Sequence, residues 1–132
     1  MTLSLHQRET LVERLRQRRR ELADALTARL HQDGLDTHAE AALPRRAAET
    51  DDDAAAETAR AQDLTHLARV LAELSRVDAA LTRAAGGRLG ECDDCGDPID
   101  PARLEANPAA ARCAECQSYA EHVAAHARLV GA

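Results

Sequence analysis

Four cysteines constrain this chain more than any other feature. They stand as Cys92-x2-Cys95 and Cys113-x2-Cys116, with seventeen residues between the pairs. Two CxxC hooks at that separation are the pattern of a four-thiolate zinc site. Each hook turns two sulfurs toward one side of a tetrahedron, and the spacer lets the second hook close the other side. Gly96 follows the first hook, where the backbone must turn and a positive φ is useful. Asp97-Pro98 and Asn107-Pro108 punctuate the spacer as turns. The alternatives are two disulfides or a redox-active CxxC. Neither a signal peptide nor a βαβ pattern accompanies the hooks. Four thiolates leave no open position for water, so the expected role of the metal is structural.

The rest of the composition explains why such a staple is needed. The chain has 132 residues, no Phe, no Trp and one Tyr, so little bulky apolar material is available for a core. Its apolar residues are mostly Leu and Ala among many charges, which favours long helices. No apolar run approaches the length of a bilayer crossing, and zinc thiolates suit a reducing compartment. The expectation is a soluble cytoplasmic protein. The net charge is −6, and four thiolates with one Zn²⁺ add two further negative charges. Seven acidic residues (Glu91, Asp93, Asp94, Asp97, Asp100, Glu105 and Glu115) outnumber the three arginines of residues 88–117. A DNA-binding finger needs the reverse balance for its phosphate contacts. The finger is expected to touch protein.

Upstream, Leu11, Leu15, Leu22, Leu26 and Leu30 recur at spacings of four and seven, a helical stripe. Ser4 is a candidate cap and Gly34 a candidate stop. Arg8, Arg14, Arg16, Arg18, Arg19 and Arg20 crowd this helix. Glu9, Glu13 and Glu21 interleave with them, so they read as a solvated coiled-coil flank. Residues 34–50, with Pro44, read as a turn region. Thr50 or Asp51 is then a plausible N-cap, and the acidic run Asp51, Asp52 and Asp53 suits a first helical turn. The second helix runs to about Ala85 and stops at Gly86-Gly87. Its expected seam is Leu64, Leu67, Leu71, Leu74, Asp78 and Leu81, flanked by Val70 and Val77. Another helix follows Cys113, with the second hook in its first turn. His122 and His126 share a face there, but Cys116 lies too close for a Cys2His2 spacer, and using them would orphan Cys92 and Cys95. Catalytic constellations are absent, so an enzyme is not expected.

The block Cys92-x2-Cys95-Gly96, Ile99, Arg103-Leu104-x-Ala106-x-Pro108, Cys113-x2-Cys116-Gln117 resembles the DksA/TraR zinc-finger proteins. The resemblance implies an all-α fold: a long antiparallel coiled-coil hairpin, a small four-cysteine zinc finger and a C-terminal helix. The division would be residues 1–87 for the hairpin, with an acidic tip near residues 45–56, and residues 88–132 for the finger and last helix. It implies a bacterial regulator acting on RNA polymerase rather than DNA, most simply as a monomer. Members insert the hairpin into the polymerase secondary channel and shift the stability of promoter complexes, many together with ppGpp. The family tip signature Asp-x-x-Asp-x-Ala falls on Glu49, Asp52 and Ala54, with Asp51 and Asp53 beside them. Glu49 keeps the charge of the first Asp one methylene further out. Basic residues that hold ppGpp in the family are replaced by Asn107 and Gln117, so strong ppGpp dependence is not expected. The alternative function is a zinc-stapled adaptor whose coiled coil binds another protein or self-associates.

Overall fold

A computed structural model describes residues 3–42 and 50–130, with side chains for residues 3–31 and 53–130. Among the described residues the fold is all-α, with four helices and no strand beyond one isolated bridge between Glu91 and Pro98. The helices are α1 (Leu5–Ala42), α2 (Thr50–Ala85), α3 (Pro101–Ala106) and α4 (Ala114–Val130). They fall into two compact units. One gathers Met1–Arg18 with Arg76–Ala132, and the other is Arg19–Ser75.

In the first unit, α1 opens with a reciprocal capping box. The Ser4 N–H donates to Gln7 Oε1 at 2.8 Å, and the Gln7 N–H donates to Ser4 Oγ at 3.1 Å. In the same unit, α2 closes as a Schellman motif. The Gly87 N–H reaches the Ala84 carbonyl, the Arg88 N–H reaches the Arg83 carbonyl at 2.8 Å, and Gly87 takes φ +73°. The core of this unit combines Leu11 and Leu15 of α1, Val77 and Ala80 of α2, and Leu89, Ile99, Leu104 and Ala110 of the finger. Leu15, Ile99 and Leu104 are its largest fully buried side chains. Gly90 (φ +89°) is buried so closely that a Cβ there would stand 2.9 Å from Leu3 Cδ1. Arg14 of α1 donates to the Glu105 carbonyl at the C-terminal end of α3, at 2.7 Å.

In the second unit, α1 and α2 pair antiparallel. Arg29 and Asp63 form a 2.8 Å ion pair, and Ala25, Leu26, His66, Leu67 and Val70 border a shallow groove beside it. Leu22 is buried here, and Leu26 is half-buried.

Two sequence expectations need correction. Gly34 does not stop α1, which continues to Ala42. A helical glycine costs only about 1 kcal/mol relative to Ala, and Leu35, Ala39, Glu40, Ala41 and Ala42 around it are good helix formers. Pro44 is the first residue whose ring forbids continuation. The remainder of the expected turn, residues 43–49, lies outside the described residues. The α2 seam is also rotated. Leu64 and Leu71, assigned to it by spacing, are 67% and 47% exposed, whereas Val77 and Ala80 are buried and Leu67, Val70, Leu74 and Leu81 half-buried. A three-four repeat supports more than one phase, and the partner helix selects among them.

Candidate metal centre

The first hook sits in the loop closed by the isolated Glu91–Pro98 bridge. The Ile99 N–H bonds the Gly90 carbonyl at 2.7 Å, and the Cys92 N–H bonds the Asp97 carbonyl at 2.8 Å. The Gly96 N–H then turns back onto the Cys92 carbonyl at 2.9 Å, with Gly96 at φ +78°. The positive φ anticipated there is present.

The second hook belongs to the start of α4. Cys113 precedes the helix, and its sulfur accepts the Cys116 N–H at 3.4 Å, a thiol version of an N-cap. The Gln117 N–H meets the Cys113 carbonyl at 2.9 Å, closing the first turn.

Between the hooks, α3 is a turn of helix that the sequence reading missed. Asp100 caps it by accepting the Ala102 N–H at 3.1 Å, and Pro101 fills the first position. Asn107 ends it and folds the next turn, its Oδ1 accepting the Ala109 N–H.

Two contacts then clasp the first hook to the segment before the second, and an arginine from α3 and one from α2 brace them. The Asp93 N–H donates to the Ala111 carbonyl at 2.8 Å. Asp94 Oδ2 pairs with Arg112 Nε at 2.8 Å, and Arg103 Nε donates to the Arg112 carbonyl at 3.1 Å. Arg83, reaching from α2, faces Asp93 at 3.7 Å. Sequence reasoning missed Arg83 and Arg112. For Arg112 the available signal was charge alternation, with Asp93-Asp94 inside one hook and Arg112 directly before the other.

The result is a cluster in which the sulfurs of Cys92, Cys95, Cys113 and Cys116 all lie within 4.8 Å of one another. The cysteines are free rather than disulfide-bonded. Tetrahedral bonds of about 2.3 Å put sulfurs about 3.8 Å apart around zinc, and Cys95 and Cys113 stand at 3.9 Å. The donor set fits zinc. Burial pushes the Cys92 thiol up, but the N–H groups of Cys113, Cys95 and Asp94 outweigh it and bring its pKa down to about 6. For Cys95 the Asp97 N–H pulls down, but the Cys92 sulfur and burial prevail, and its pKa is raised. The Cys113 and Cys92 sulfurs push Cys116 up strongly. Cys92 thus ionises ahead of Cys95 and Cys116. A divalent cation overrides that order by favouring all four thiolates.

Residues 87–122 match the family described as the prokaryotic dksA/traR C4-type zinc finger. This segment of the chain is similar to a zinc finger of the DksA/TraR type. Its metal centre is the structural zinc site of that finger. RNA polymerase-binding transcription factor DksA from two strains of Caulobacter vibrioides, NA1000/CB15N and ATCC 19089/CB 15, is 41% identical over 70 residues. The match covers 53% of this chain and 49% of each relative, so the chain spans about half the length of the curated relatives it matches. The structure of transcription factor DksA2 from Pseudomonas aeruginosa is similar over 93% of this chain and 89% of its own, with a TM-score of 0.71 and 28% identity.

Of the residues expected at an acidic tip, Glu49 lies outside the described residues, as do the side chains of Asp51 and Asp52. Both aspartates occupy the first turn of α2. Asp53 and Ala54 are exposed, and the Ala54 carbonyl accepts the Thr58 hydroxyl at 2.9 Å. Asn107 and Gln117 border a cleft of about 730 Å³ whose rim also carries Arg76, Arg83, Arg103 and Arg112. His122 and His126 are exposed on α4 and stand outside the thiol cluster. Among the described residues no helix is long and apolar enough to cross a membrane.

Proposed function

We propose that this chain is a transcription regulator that binds bacterial RNA polymerase directly and inserts the α1–α2 turn into the secondary channel to modulate initiation. The observation that carries the reading is the match to DksA2 over 93% of the chain, which extends well beyond the finger. The naming of the Caulobacter relatives as RNA polymerase-binding factors supports the partner.

Within this reading, Cys92, Cys95, Cys113 and Cys116 hold zinc, and the metal staples residues 88–132 as the base of an arm formed by residues 1–87. Glu49, Asp51, Asp52, Asp53 and Ala54 form the partner-binding tip. Carboxylates there suit a centre built around Mg²⁺ and basic groups, without a dedicated metal site of their own. The protein acts by binding rather than catalysis, in the cytoplasm, as a monomer. The acidic finger is not a DNA reader. Asn107 and Gln117 offer no charge to a pyrophosphate, so regulation proceeds without strong ppGpp dependence.

The test is promoter-complex lifetime in a purified transcription system. The zinc-loaded chain changes it, Asp52→Asn abolishes the change, and ppGpp adds less than a several-fold effect. An unchanged lifetime with the wild-type chain removes the reading.

Exposed Leu64 and Leu71, seven residues apart on α2, favour a second reading: a zinc-stapled adaptor that binds another protein, or itself, along the coiled coil. Asp52→Asn leaves a side-on partnership of that kind intact.

A further inference from the structure

Arg83 is the one buried charged residue among those described, 7% exposed, and it lies in the last turn of α2. Its guanidinium fork faces three groups of the finger. Nη2 is 3.4 Å from the Ala109 carbonyl and 3.5 Å from the Ala110 carbonyl, while Nη1 is 3.7 Å from Asp93 Oδ2. Asp93 lies between Cys92 and Cys95, and Ala109 and Ala110 lead into Cys113. The acceptors of one side chain therefore come from the loops that carry opposite hooks.

We propose that Arg83 couples the metal state of the hooks to the C-terminal turn of α2. A guanidinium withdrawn from water needs its partners held in place. Zinc fixes both hooks and with them Asp93, Ala109 and Ala110. Without the metal these acceptors separate, and Arg83 regains water only by moving the turn that bears it. That turn is also the Schellman closure, because the Arg83 carbonyl accepts the Arg88 N–H at 2.8 Å and also an N–H from Gly86. Loosening Arg83 thus opens the helix end through its own backbone. Arg83 is a positioning residue with no contact to the sulfurs required. Lysine cannot replace it, since a single ammonium does not span three acceptors. Coupling of this kind is reciprocal, so Arg83 must also raise the affinity for zinc.

The experiment uses the full chain, zinc-loaded and after treatment with EDTA under reductant. Amide hydrogen exchange is followed at Gly86, Gly87 and Arg88, with Val77 and Leu104 as reporters of general unfolding. In the wild type, chelation speeds exchange at the three turn amides by more than at Val77. In Arg83→Met and Arg83→Lys the turn exchanges fast even with zinc bound, chelation adds little, and Val77 is unaffected. Competition with a chromophoric chelator shows zinc bound about tenfold more weakly by both variants. Asp93→Asn, which alters the finger side only, gives the same pattern to a smaller degree. Turn amides that ignore chelation in the wild type overturn the proposal. So does zinc affinity in Arg83→Met within twofold of wild type, or an equal response to chelation in wild type and variant.

Discussion

The sulfurs of Cys95 and Cys113 stand 3.9 Å apart although seventeen residues separate them in the chain. That spacing is the edge of a zinc tetrahedron, and it is reached by two different local devices. Cys95 is delivered by a glycine-closed turn, Cys113 by the first turn of a helix. Neither hook can place its partner alone. The segment that joins them, α3 with its Asp100 cap and Asn107 turn, sets the distance.

The metal prediction follows directly. The purified chain carries one zinc, read by elemental analysis, and Cys113→Ser retains less than one after dialysis. Asp94→Ala keeps the ligands but frees the hook from Arg112, and it weakens zinc by about tenfold, the usual scale for groups that orient metal ligands. Full metal retention by Cys113→Ser contradicts the four-sulfur site.

A pH prediction rests on Cys92, whose thiol falls from 9.0 to about 6 in the metal-free cluster. The sign follows from its lowered value. A depressed pKa contributes stability fully above the unfolded value and loses it as pH falls through the folded one. Metal-free wild type, under reductant and EDTA, is therefore more stable than Cys92→Ser at pH 9, and the gap in Tm narrows steadily toward pH 6. A gap that widens on acidification contradicts the assignment.

Gly90 and Gly87 separate two costs. Both have positive φ, but nothing lies near a Cβ at Gly87, whereas Leu3 Cδ1 stands 2.9 Å from one at Gly90. Gly87→Ala is expected to cost about 1 kcal/mol of left-handed strain. Gly90→Ala costs more, because Leu3 must also leave its place. Urea midpoints check the order, and equal midpoints for the two variants refute it.

The core and the α2 seam give a matched pair. Leu104 is fully buried, and Leu104→Ala is expected to lose about 2–5 kcal/mol. Leu71→Ala, on the exposed face of α2, loses no more than about 0.5 kcal/mol. Chemical denaturation measures both, and a large loss at Leu71 would restore the seam that spacing alone suggests.

The contrast between Leu71 and Val77 shows where sequence reading stops. Helical period is written in the chain, because leucine spacing needs no partner to be seen. Phase is not, because which of two interleaved stripes is buried depends on the surface of the facing helix. The hooks were legible for the opposite reason: CxxC chemistry leaves few alternatives. Ser4 was visible as a cap, although its reciprocal partner Gln7 emerged only in three dimensions. Gly34 misled, since one weak helix breaker was read as a stop before the proline that follows. Arg83 gave no signal at all. An arginine near a helix C-terminus is ordinary until carbonyls of a distant segment are found around it.

The most direct measurement is binding of the zinc-loaded chain to bacterial core RNA polymerase, beside a variant with Asp51, Asp52 and Asp53 each changed to Asn. Wild type binds and alters promoter-complex lifetime, while the variant, with its finger and zinc intact, fails to alter it. Absence of wild-type binding at micromolar concentration, or a variant as active as wild type, contradicts the tip mechanism.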